Sequence, residues 1–113
     1  MNKASLLRII LILQIVSVSI YTIIAGSNEG WDLFSVFFGN IKVMGWNGQF
    51  NLDFSTYLLL SGLWIMWRNN FSISSIAFGF AAMVLGIIAF AGYVLYLSYV
   101  EKGDVKKILV GER

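Results

Sequence analysis

Apolar positions in this chain gather in long uncharged runs separated by short polar links, a pattern that predicts helices in lipid. From Ile9 to Asn28 no charged residue occurs in 20 positions, most of them Ile, Leu and Val. At about 1.5 Å per residue such a run reaches about 30 Å, the thickness of a bilayer's hydrocarbon core. Asn69 to Val100 is longer still, 32 positions without a charge. Ser72 is placed to cap its start, with Ser74 and Ser75 in the first turn. Between them lies Phe54 to Trp67, 14 residues bounded by Asp53 and Arg68, which cover only about 21 Å. That helix must extend past one boundary, and a start near Gln49 draws Asn51 and Asp53 about a turn into the membrane. The link Arg68-Asn69-Asn70-Phe71 is a tight turn, so the second and third runs pair as an antiparallel hairpin.

These runs predict an all-α integral membrane protein in one domain, with three transmembrane helices near 6–26, 52–69 and 72–99 and a polar tail over 101–113. A cleaved signal peptide competes for the first run, because Lys3 and Arg8 precede it. The run is longer than an ordinary signal core and Ala25 is a weak cleavage position, which favours an uncleaved span.

Residues 26–52 form the one long connection. It holds Gly26, Gly30, Gly39, Gly45 and Gly48 together with Trp31, Trp46 and several Phe. Phe34, Phe37, Phe38, Ile41 and Met44 recur at helical spacing, with Ser35, Gly39 and Lys42 on the other side. The pattern reads as an amphipathic interfacial helix over about 32–46. A fourth span or re-entrant segment, and an extended aromatic flap, stay open beside it.

Composition narrows the function more than it names one. Hydrophobic residues make up 58% of the 113 positions and charged residues 12%, against about 25% charged in an average soluble domain. A net charge of +2 is too small and dispersed for nucleic acid. The chain has no Cys and no His, which removes thiol chemistry, the commonest metal ligand and the commonest general base. No catalytic constellation, metal set or cofactor motif appears, and a non-enzyme without cofactors is expected. Positive charge does not orient three spans firmly: one side would hold Lys3, Arg8 and Arg68, the other Lys42, Lys102, Lys106, Lys107 and Arg113.

A few polar positions could carry a role. Asp53 stands first, since ionisable groups at membrane depth are costly and usually functional; capping its own helix or pairing with Lys42 is the plainer alternative. Asn51 points elsewhere on the same helix. Arg68 is expected to snorkel from the interface, with Trp64 and Trp67 in an aromatic belt. Gly79, Ala82, Gly86 and Ala89, followed by Tyr93, make a small-residue face that serves helix packing within the chain, or a dimer seam.

Phe37-Phe38-Gly39, Met44-Gly45-Trp46, Gly48-Gln49-Phe50-Asn51-Leu52-Asp53-Phe54, Trp67-Arg68 and Gly103-Asp104-Val105-Lys106 together resemble a family of small bacterial multi-span inner-membrane proteins of uncharacterised activity. The resemblance covers roughly the last two-thirds of the chain and implies a multi-pass protein of the inner membrane without supplying a mechanism. Small multidrug transporters are of similar length but depend on a carboxylate in the first span, where this chain has Gln14. The expected function is accessory or structural, through helix packing or binding of lipid, a second copy or a membrane-protein partner. A small oligomeric transporter or ion-conducting protein using Asp53 is the alternative.

Overall fold

The computed structural model describes residues 3–112 and is all-helical over them. The order is α1 (Lys3–Glu29), α2 (Leu33–Val43), α3 (Trp46–Arg68), α4 (Ile73–Leu85), α5 (Ile87–Val100) and α6 (Val105–Val110). Local chemistry sets several of the ends. Ser72 accepts from the Ser75 N–H and opens α4, as its position predicts. Asp32 does the same for α2 through Ser35, and Asp104 for α6 through Lys107.

The expected helix over 72–99 is not continuous. Gly86 divides it, at φ 74° and ψ −143°, a backbone region that L side chains rarely enter. The chain reverses there. Tyr93 on α5 returns to Phe78 on α4, with ring centroids 5.7 Å apart, and its hydroxyl meets Asn69 before α4 begins. In one straight helix residues 78 and 93 would stand about 22 Å apart. The helical bonds Gly86 N–H to Ala82 and Phe90 N–H to Gly86 survive the turn, so one glycine makes the reversal without orphaning its own backbone. The apolar pattern shows no period that could betray this, because both arms are apolar on every side.

The arms have different partners: α4 packs chiefly on α3, and α5 chiefly on α1. Along α3 and α4 the backbones close in at Gly62 and Gly79, as small residues allow. The small-residue face is therefore split. Gly79 and the fully covered Ala82 serve packing inside the chain, Gly86 makes the turn, and Ala89 lies on the other arm. The buried cluster of Leu11, Ala91, Val94, Leu97 and Ile108 joins α1, α5 and α6.

The segment expected at 32–46 is a helix, and it lies antiparallel along the first half of α3. Gly48 abuts the backbone of Asn40 and Ile41, and the Asn51 amide donates to the Phe37 carbonyl at 3.1 Å. The inward positions are Phe37 and Ile41, both half-buried, whereas Met44 is 87% exposed.

Lengths separate the helices. Among the described residues only α1 is both long and apolar enough to cross a membrane, with mean hydropathy 2.3 over its best stretch. The 23-residue α3 is long enough, but its first turns carry Asn47, Gln49, Asn51 and Asp53. Neither α4 nor α5 exceeds about 21 Å, short of the roughly 30 Å core. The molecule exposes 8071 Å², where a compact soluble globule of its mass exposes about 6,200 Å². Many of the exposed residues are large and apolar.

Candidate functional site

Polar side chains converge at the end of the molecule where α3 stops. Arg68, the last residue of α3, is only 6% exposed. Its Nε donates to the Ile108 carbonyl at 2.6 Å and its Nη2 to the Lys107 carbonyl at 3.0 Å. Its Nη1 donates to the Asn69 side-chain oxygen at 2.9 Å. The carbonyls of Lys107 and Ile108 lie at the end of α6, where the dipole is negative, and that of Lys107 also accepts from the Gly111 N–H at 2.8 Å. The guanidinium therefore closes α6 onto α3. Trp64 adds a bond from its Nε1 to the Leu109 carbonyl at 2.9 Å.

This arrangement replaces the expectation for Arg68. Arg68 does not snorkel outward: three protein oxygens surround it. The polar tail carries the short helix α6, which docks through Ile108, 3% exposed. Sequence spacing could not supply this, because the partners lie about 40 positions apart.

Around Arg68 the other polar groups are tied in turn. Asn69 donates to the Ile65 carbonyl at 2.8 Å and to the Tyr93 hydroxyl at 2.7 Å. Glu101, after α5, stands 3.7 Å from Arg68 Nη2 and is 24% exposed. On the far side of α5, Arg8 reaches across from α1, donating to the Ser98 hydroxyl at 3.0 Å and the Ser98 carbonyl at 2.8 Å. Its guanidinium carbon sits 4.1 Å from the Tyr99 ring centroid, a cation–π contact. Of the tyrosines along α5, Tyr93 is bonded inside, whereas Tyr96 and Tyr99 are exposed, Tyr99 beneath Arg8. The spacing of Arg8 and Ser98 held no signal for their bond.

Between the open ends of α4 and α5 lies a pocket of about 270 Å³, lined by Arg68, Ser74, Phe78, Tyr93, Tyr96 and Glu101 among others. A second, apolar groove of about 480 Å³ runs between α2, α3 and the tip of α4, past Phe34, Phe38, Phe54, Leu58 and Met83.

Asp53 takes no part in either polar cluster. It lies exposed on α3, accepting from the Gln49 amide at 3.5 Å, and α2 covers the neighbouring face instead. Asn51 lines the apolar groove and holds α2 in place. Asn51, Asp53 and Arg68 are thus not brought together. Among the described residues no cluster of three or more carboxylates fit for a metal occurs. No protein-family model, curated protein or solved structure matches the chain.

Proposed function

We propose that the chain is a small multi-pass helical protein of the inner membrane, with an accessory or structural role exercised through helix packing and binding of lipid or partner helices. The observation that carries this reading is α1: only 11% of its most apolar stretch is buried. A core helix of a water-soluble protein would cover that surface, and lipid covers it at no cost.

Charge supports a particular topology. Because α4 and α5 reverse at Gly86, the starts of α1 and α4 and the ends of α3 and α5 share one end of the molecule. Arg8, Arg68, Lys102, Lys106 and Lys107 collect there, and Lys3 opens α1 at the same end, while Lys42 adjoins the start of α3 at the opposite end. In the positive-inside sense the crowded end is cytoplasmic, and both termini of the described chain face it. The α4–α5 hairpin then enters from the cytoplasmic face and returns to it, its short arms packed against α3 and α1.

Single cysteines test this without background, since the chain has none of its own. With an impermeant thiol reagent on intact cells, Ser27→Cys labels from outside, while Asn70→Cys and Lys106→Cys label only after permeabilisation. Release of the unmodified chain by carbonate washing would end the membrane reading. Labelling of Lys106→Cys from the Ser27 side would restore three complete spans.

A further inference from the structure

We propose that the pocket at the mouth of the α4–α5 hairpin binds a primary ammonium group of the ethanolamine type, either a free amine or the headgroup of a phospholipid. The inference needs the hairpin and its pocket, and it does not need the membrane topology proposed above.

The Glu101 carboxylate carries it. Three-quarters of that side chain is covered by protein, yet among the described residues no donor makes a hydrogen bond to its oxygens. Its ion-pair partner is Arg68 Nη2, at 3.7 Å, beyond hydrogen-bond range. Three of the five Arg68 N–H donors are committed elsewhere. The Arg68 Nε, Nη1 and Nη2 donate to Ile108, Asn69 and Lys107, so its charge is shared between Glu101 and the end of α6. A carboxylate in partial burial calls for charged N–H donors, and a bond of that kind is among the stronger ones available.

The rest of the lining fits an amine better than a metal or an anion. The rings of Phe78, Tyr93 and Tyr96 line the pocket, and ring faces attract ammonium groups. A hard cation would need several oxygen ligands, and a lone carboxylate beside a guanidinium does not provide them. The Tyr93 hydroxyl accepts from Asn69 and keeps its own proton, a donor for an oxygen near the ammonium. The cavity, about 270 Å³, lies just below the usual range of about 300–1,000 Å³ for drug-sized ligands. It suits a headgroup.

The test uses the full chain. In detergent, saturation transfer from protein to the methylene protons of ethanolamine hydrochloride reports the free amine. In nanodiscs, native mass spectrometry reports whether phosphatidylethanolamine is retained over phosphatidylglycerol. Glu101→Gln should weaken either signal about tenfold, the loss of one charge-assisted bond. Tyr96→Leu changes an exposed ring and leaves the Arg68 contacts intact, so it decides the matter if Glu101→Gln misfolds. It should weaken binding about threefold.

Transfer to free ethanolamine that both variants weaken supports a soluble amine. Retention of phosphatidylethanolamine alone, lost in Glu101→Gln, supports the lipid headgroup. No signal in either arm, or signals that a folded Glu101→Gln chain and Tyr96→Leu leave unchanged, overturns the site. The cysteine labelling pattern is unaffected by any of these outcomes, so the two proposals fail separately.

Discussion

Gly62 and Gly79 face each other across α3 and α4 so closely that a Cβ on Gly62 would lie 2.7 Å from the Gly79 carbonyl oxygen, and one on Gly79 would lie 2.8 Å from that of Gly62. Real side chains do not occupy such positions, and the obstruction is backbone, which cannot rotate away. Gly62→Ala or Gly79→Ala should force the helices apart and destabilise the fold by about 1–3 kcal/mol. The midpoint of unfolding in a denaturing detergent measures it. An unchanged midpoint would place this crossing elsewhere.

Gly86→Ala separates a turn from a continuous helix. With φ at 74°, alanine should cost about 1–3 kcal/mol. In an unbroken helix over 72–99 the same change would instead stabilise by about 1 kcal/mol. The sign of the shift in thermal midpoint is the readout.

Removing the guanidinium should free α6. Arg68→Ala leaves the carbonyls of Lys107 and Ile108 without their side-chain donor and takes the counter-charge from Glu101. A loss of about 3 kcal/mol is expected for breaking a buried ionic network. Lysine cannot restore it, because one ammonium does not span the carbonyl fork. Limited trypsin digestion should cut after Lys106 or Lys107 faster in both Arg68→Ala and Arg68→Lys than in the parent chain.

Arg8 and Ser98 should be energetically coupled. Two hydrogen bonds join them over 90 positions, and Ser98 is wholly buried. In a double-mutant cycle, Arg8→Gln and Ser98→Ala should show an interaction energy of about 1 kcal/mol. Additivity would mean that the clamp does not hold α1 to α5.

Acid should loosen the start of α2. The Ser35 hydroxyl, and then its backbone N–H, donate to Asp32 and hold its carboxyl below the ordinary value of 3.8. A folded-state value that is depressed stabilises above the ordinary value and stops doing so as pH falls through the folded one. Amide exchange in the first turn of α2 should therefore quicken, relative to the rest of the helix, as acid protonates Asp32. Asp32→Ala should show the quicker exchange at neutral pH and lose that pH dependence.

Local and global information divide cleanly along this chain. The sequence by itself determined the helical class, the uncharged runs that become α1 and the α4–α5 hairpin, and the cap at Ser72. Each depends on residues within one or two turns: side-chain entropy, apolar pattern, a hydroxyl near free N–H groups. What Gly86 does was not local. An isolated glycine in an apolar helix is tolerated at about 1 kcal/mol, and it becomes a reversal only where partners reward the reversed path. Those partners are α3 beside Gly79, and α1 through the Arg8–Ser98 bonds. The same holds for Arg68, whose place at a helix end suggests an exposed charge until α6 returns to present its carbonyls. Tertiary structure decided both, because the free energy that selects them comes from contacts between residues 17 to 90 positions apart, which no window along the chain contains.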